Sequence, residues 1–305
     1  MDREPLSADE LWALFNRKQD RLRIPFVALN DGEDVVLGYD PKRLEEVFVH
    51  GWLSGPPAAA PRDERVVYDD FSAGELDPGR WAVAELRQAE GPPYRYADPN
   101  ARVRTADGRL ELTINPFSRW HDTVQTLNNP KQLYISTRRF ETPPGSVVEF
   151  ETDMAITTYG QIPHSLRDAF GTINLLDFSS GMVLDFAATN DTVYIVYERL
   201  HIPGVTTREQ YFAHRVVLEV EAGPGLEHHL MIRYDRDRGY AEWFADGERV
   251  YWAEVPVPVE GFNLGMGLFS SREIDRYIRA EREHGQGATG RWGPWIVTTR
   301  GQGPC

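Results

Sequence analysis

Residues 146–156 read Ser146-Val147-Val148-Glu149-Phe150-Glu151-Thr152-Asp153-Met154-Ala155-Ile156. Val148, Phe150, Met154 and Ile156 alternate with Glu149, Glu151 and Asp153, giving one apolar face and one acidic face. Successive side chains of a strand point to opposite faces, so this alternation predicts a half-buried strand. Two more strands are predicted over 171–178 and 182–200, the second bent or broken at Thr189-Asn190-Asp191. The loop 157–168 joins the first strand to the next. In Met182-Val183-Leu184-Asp185-Phe186-Ala187 one acid stands among apolar residues. The expectation is that these faces line a cleft.

The β pattern extends outward from this stretch. A hairpin is predicted at 101–114 around Asp107-Gly108. A meander is predicted over 229–252, with turns at Asp237-Arg238-Gly239 and Asp246-Gly247. Further strands are expected at 132–140, 212–221, 262–269 and 292–299, and a charged helix at 271–284. More than ten short strands with regularly spaced turns point to a sandwich or jelly roll. Upstream, Ser7-Ala8-Asp9-Glu10 is a capping box before a helical apolar stripe. A hairpin around Asn30–Asp34 and a helix opening at Asp40-Pro41 follow. Residues 1–55 therefore read as a small α+β appendage, 56–65 as a Pro- and Ala-rich linker, 66–300 as the sandwich and 301–305 as a tail. The appendage is expected to pack on the sandwich or to mediate a homodimer; a lid over the cleft is the alternative.

Composition narrows the function classes. The 305 residues are 41% apolar and 11% aromatic, enough for a real core, and carry a formal net charge of −14. That charge disfavours nucleic acid and anionic membrane as partners. The chain opens Met1-Asp2-Arg3-Glu4-Pro5 without an apolar run, and no stretch is long and apolar enough to span a bilayer. The single cysteine, Cys305, excludes a disulfide framework. The expected location is the cytoplasm.

Several motifs resemble those of concanavalin A-like lectins and glucanases. Tyr68-Asp69-Asp70-Phe71 with Leu76-Asp77-Pro78-Gly79-Arg80-Trp81 resembles the opening of many of them, as does Asp107-Gly108-Arg109-Leu110-Glu111-Leu112. The stretch from Phe140 through Gly145 to Glu151 is similar to the strand that flanks the catalytic one in glucanases. Residues 234–247 are similar to the paired strands of laminin-G-type sandwiches. The likeness covers roughly 66–300 and implies a laminarinase-like jelly roll. The chain also resembles a bacterial family without an assigned activity. In laminarinase-type enzymes one strand presents Glu, Asp and Glu at alternating positions. The matching strand here keeps only Asp185, with Val183 and Ala187 where glutamates would stand. Retaining chemistry needs two carboxyls about 5 Å apart, so the departure removes the standard dyad.

The candidate catalytic residues are Glu151, Asp153, Asp185 and His164. Glu151 and Asp153 could work as an acid/base pair; the plain alternative is a solvated strand face. Asp185 is either a buried acid paired to an arginine or an acid of raised pKa. His164, Arg167 and Tyr159 belong to the rim loop, where binding groups commonly sit. Tyr194 and Glu198 share one strand face, with Tyr197 and Arg199 on the other. Of His214 and Arg215, one points inward. Tyr159, Arg167, Tyr197, Arg199, His214 and Trp120 are the candidate ligand contacts. His228-His229 is a poor metal signal, since neighbours on a strand face opposite ways. No cofactor is implied, although a structural calcium ion would be compatible with the fold. Three functions follow. The first is a cofactor-independent isomerase, cyclase or lyase acting on a small organic molecule. The second is a carbohydrate-active hydrolase or lyase with a rearranged site. The third is a non-catalytic carbohydrate-binding module.

Overall fold

The structure is a computed structural model that describes residues 27–31, 34–38, 63–86, 94–118, 131–202, 204–271 and 287–301. The chain divides into two compact units, Met1–Ala59 and Ala60–Cys305. In the first, β1 (Val27–Asp31) and β2 (Asp34–Gly38) form an antiparallel hairpin, with Asp31 opposite Asp34. The expected helices, the 56–62 part of the linker, Trp120 and its neighbours His121 and Asp122, the 272–284 part of the late helix and Cys305 lie outside the described residues; the last residues of the expected linker, Glu64 and Arg65, belong to a strand.

The second unit is a sandwich of two antiparallel sheets. Strands are numbered along the chain. Sheet 1 runs β17 (Glu248–Glu254), β16 (Tyr240–Ala245), β15 (Glu227–Asp235), β10 (Ser146–Tyr159), β19 (Gly287–Trp292), β8 (Arg109–Ile114), β7 (Arg102–Ala106). Strand β20 (Trp295–Gly301) also pairs with β10, and with β3 (Glu64–Asp69). Sheet 2 runs β14 (Phe212–Val217), β13 (Val193–Arg199), β12 (Met182–Ala188), β11 (Ala169–Asp177), β18 (Gly261–Ser270), β9 (Lys131–Glu141), β4 (Trp81–Val83). Strands β5 (Glu85–Leu86) and β6 (Tyr94–Arg95) make a small separate pair. This is the concanavalin A-like jelly roll that the motifs implied.

The core lies between the sheets. Val148, Phe150, Met154 and Ile156 of β10 meet Ile173, Leu175, Leu184, Phe186 and Ile195 of sheet 2. The alternation in residues 146–156 thus does what its period requires: the even-numbered apolar residues fill the interior. The expected single strand over 182–200 is a hairpin, β12 and β13, broken at the predicted Thr189-Asn190-Asp191. The expected strand over 292–299 is two strands, β19 and β20, laid end to end along β10. Gly293 and Pro294 separate them, because proline has no N–H to give the ladder. Gly293 still donates to the Asp153 carbonyl at 2.9 Å.

Sheet 2 carries a second apolar cluster on its outer face, built from Leu133, Phe170, Leu176, Val183, Ala187, Tyr194, Val196 and Phe269 with Ala84 and Tyr96. The register arranges this face as a grid. Leu133, Gly267, Thr172, Ala187 and Tyr194 form one row across five strands. Ile135, Gly265, Asn174, Asp185, Val196 and Arg215 form the next. A strand outer face that is apolar and buried, with acids set into it, is the feature that positions the site.

Candidate functional site

Asp185 sits on β12 in that second row, and Glu198 on β13 lies diagonally across from it, opposite Val183. Diagonal neighbours on one face of an antiparallel pair are within reach of long side chains. Both carboxyls are buried. Burial, then the negative charge of Glu198, hold the Asp185 carboxyl well above the usual carboxylate range. Burial also raises Glu198, and the positive charges of Lys131 and Arg215 partly offset it. Two like carboxyls in a dry setting cannot both ionise cheaply, which favours the protonated form of each.

The polar frame around the pair is specific. The Thr172 hydroxyl donates to Asn174 Oδ1 at 2.9 Å, and the Asn174 side chain hydrogen-bonds Asp185. Asp185 Oδ1 has no partner among the described residues, and neither does the Tyr194 hydroxyl. Arg215 reaches the Leu166 carbonyl at 3.2 Å and Ser271 Oγ at 3.1 Å. The Lys131 ammonium lies 4.5 Å above the Tyr96 ring and 5.4 Å from the Phe269 ring. Burial depresses it to about 8, against the opposing pull of Glu198 and Asp185. Phe170 stacks on Phe269 at 5.5 Å and meets the Tyr194 ring edge-on at 5.9 Å. The result is an acid pair, a lysine and an aromatic wall on one face.

The expected cleft lined by both the Glu151/Asp153 face and Asp185 is not formed. Their strand faces its apolar side inward, so the acids project from the outer face of sheet 1, on the far side of the sandwich from Asp185. There His229 lies between them, with Nε2 3.4 Å from Glu151 and Nδ1 3.0 Å from Asp153. Arg109 approaches Asp153 at 3.6 Å. Glu149 on the same face is held by Arg233 at 2.8 Å and Arg300 at 3.0 Å. The acidic face is an ion-pair lattice.

The loop candidates also stand apart. His164 is exposed at a φ of 59°, with its backbone N–H donating to Asp191 Oδ2 at 2.6 Å. Arg167 is exposed, and its carbonyl accepts from Ser271 at 3.0 Å. Tyr159 ends β10 in sheet 1, sharing a 2.6 Å hydrogen bond with Thr289. Tyr197 faces the core, where its hydroxyl donates to the Glu254 carbonyl and its ring packs on Phe212 and Trp243. Arg199 donates to the Ser180 carbonyl at 3.0 Å. His214 stacks on Tyr197, so of the two neighbours it is Arg215 that faces the acid pair. His228 pairs with Asp246 at 2.7 Å and His229 with the two acids, on opposite faces. Among the described residues no group of three or more His, Cys, Asp or Glu could hold a metal ion, and no helix could cross a membrane.

Sequence reasoning found Asp185 and set Tyr194 and Glu198 on one face, but missed Lys131, Asn174 and Thr172. Lys131 is the first residue of its strand, and only the register places it over this face.

Solved structures share the fold. An endo-1,3-β-glucanase from Streptomyces sioyaensis aligns over 81% of this chain and 99% of its own, with a TM-score of 0.51 and 11% identity. The catalytic domain of a laminarinase from Thermotoga petrophila aligns over 80% and 98%, with a TM-score of 0.48 and 15% identity. At such identity the likeness is one of fold. No curated protein matches the sequence. Residues 68–301 match a family described as a family of unknown function, DUF6081.

Proposed function

The chain belongs to DUF6081, a family of unknown function, and on that premise we propose that the outer face of sheet 2 is a carbohydrate-active site worked by Asp185 and Glu198. The observation that carries this reading is the buried cross-strand carboxyl pair, with both members raised but in different surroundings. Environments that push two carboxyls apart assign their roles. Asp185, which stands between Val183 and Ala187 on its strand, is the general acid. Glu198, eased by Lys131 and Arg215, is the base. In cleavage Asp185 would give its proton to the leaving oxygen, while Glu198 takes one from water or from a sugar carbon. The glutamates of the laminarinase-type strand are replaced by Val183 and Ala187, so the second carboxyl comes from the neighbouring strand. The glucanase that shares this fold lends support to a saccharide ligand.

A second reading is favoured by the aromatic wall of Phe170, Phe269 and Tyr96. Such a wall suits an apolar small molecule, and the same acid pair would then drive isomerisation or cyclisation without a cofactor.

The test is a thermal-shift screen against neutral and acidic oligosaccharides and against apolar polycyclic molecules, followed by turnover of the ligand that stabilises. A ligand at a hundredfold excess over its Kd stabilises by about 2.7 kcal/mol. Stabilisation by glycans, with release of reducing ends or an unsaturated product, supports the main reading. Asp185→Asn and Glu198→Gln should each then lower kcat by about 10²–10⁴. Stabilisation by the apolar panel alone moves the site to the second reading. Saturable glycan binding without any product would make the domain a binding module.

A further inference from the structure

We propose that Tyr194 and Asp185 together form a hydroxyl-recognition pair that seats one hydroxyl of a ring lying against Phe170. This deepens the reading above and rests on its choice of face. Tyr194 stands opposite Ala187, and Asp185 opposite Val196, so the two are diagonal neighbours on adjacent strands. The phenol oxygen of Tyr194 and Oδ1 of Asp185 are both buried and both lack a partner among the described residues. Buried polar atoms are nearly always paired, and leaving one unpaired costs stability. Two such atoms from diagonal positions of one face point to a group that completes both.

The chemistry of that group follows from the pair. A phenol can donate and accept. Burial beside Glu198 favours the protonated form of the Asp185 carboxyl, and that form can also do both. An alcohol is the small group that donates to one oxygen while accepting from the other, whichever way the protons lie. A carboxylate or phosphate would meet two carboxyls, and an ammonium group would leave the phenol proton unplaced. The rest of the face suits a ring. Ala187, opposite Tyr194, carries only a methyl group, and the Phe170 ring stands edge-on to Tyr194 at 5.9 Å with Phe269 stacked behind it. The ligand class is therefore a hydroxylated ring, either a sugar or a phenol, with its apolar face on the aromatic wall.

The experiment compares wild type with Tyr194→Phe, which removes only the hydroxyl. The probes are laminaritriose and resorcinol, with benzene as the ring that lacks hydroxyls. Tyr194→Phe should have a ligand-free Tm equal to or above wild type, since it deletes an unpaired buried group. At least one hydroxylated probe should stabilise wild type, and its Kd should rise about tenfold in Tyr194→Phe, the loss of one hydrogen bond. Whichever probe responds decides between sugar and phenol. Equal Kd values in the two proteins would overturn the proposal. So would benzene stabilising as well as resorcinol, or neither hydroxylated probe stabilising wild type, as expected if the pair holds only water. The two readings fail separately. If Asp185→Asn and Glu198→Gln retain turnover while Tyr194→Phe weakens binding, the acid/base assignment falls and the hydroxyl site stands. If they abolish turnover while Tyr194→Phe binds unchanged, the reverse holds.

Discussion

The indole nitrogen of Trp243 donates to the backbone carbonyl of Asp185 at 3.2 Å, across the core from sheet 1 to sheet 2. Trp292, also from sheet 1, donates in the same way to the Thr172 carbonyl at 3.0 Å. Thr172, Asn174 and Asp185 are linked on the opposite face of sheet 2. Each tryptophan therefore grips the backbone of a strand whose outward side chain belongs to the site. Trp243→Phe should cost roughly 2–4 kcal/mol, since it removes both volume and the donor of a buried carbonyl. Trp295 gives the control: it is fully buried but its indole nitrogen has no partner among the described residues. Trp295→Phe should cost about 1 kcal/mol less than Trp243→Phe in urea unfolding. Equal costs would mean that the Asp185 carbonyl gains nothing from the indole.

The sandwich could be read from the chain because alternation is local. Val148, Phe150, Met154 and Ile156 declare an inner face without reference to any other strand. The candidate site depends on the partners of each strand, and those are non-local. Alternation says that Glu151 and Asp153 point away from Val148. It does not say that this outward side lies across the whole sandwich from Asp185. Choosing between His214 and Arg215 needed the pairing of Val196 with Arg215, which fixes the phase of the edge strand. A shift of one residue would have exchanged them. Asp185 was visible for another reason: an acid among Leu184, Phe186 and Ala187 violates the local pattern, and such violations gather at sites.

The acid pair should reverse the usual acid sensitivity of a carboxylate. A group whose pKa is higher in the folded state binds its proton more tightly there. Its contribution is full below the ordinary carboxylate range and is lost as the pH rises through the folded value. Asp185 is raised by burial and by Glu198, so stability from this pair should decline from about pH 4 toward neutrality. Asp185→Asn removes the ionisation. Urea unfolding at a series of pH values should show the variant gaining on wild type as the pH rises. A constant difference across that range would mean that Asp185 titrates normally.

Gly267 is fixed by close approach. A Cβ there would lie 2.2 Å from the Gln132 carbonyl oxygen, a backbone atom that cannot swing away. Gly265, one row along, is tight against side chains: its Cβ would meet Asn174 at 3.0 Å. The two alanine variants should therefore part. Gly267→Ala should lose about 1–3 kcal/mol of stability, because the β9 and β18 ladder must open. Gly265→Ala should lose less stability, but by pushing Asn174 it should disturb the hydrogen bond to Asp185 and impair ligand binding. Thermal unfolding beside ligand titration would tell them apart, and the reverse order would contradict the grid.

His229 is the clearest titration on the other side of the molecule. The hydrogen bond to Glu151, followed by that to Asp153, raises it to about 9. Its folded value is above the ordinary 6.5, so the ion pairs contribute fully below that pH. The contribution should fade between 6.5 and about 9 as the imidazolium loses its proton. His229 is half-exposed, and solvent screening keeps the total at about 1 kcal/mol or less. The direct measurement is an NMR titration of the His229 ring. A midpoint near 9 that falls in Glu151→Gln is expected. A midpoint near 6.5 in wild type would show that the lattice on this face is open in solution. The carboxyl pair on sheet 2 should be untouched by Glu151→Gln, because the packed core lies between the two faces.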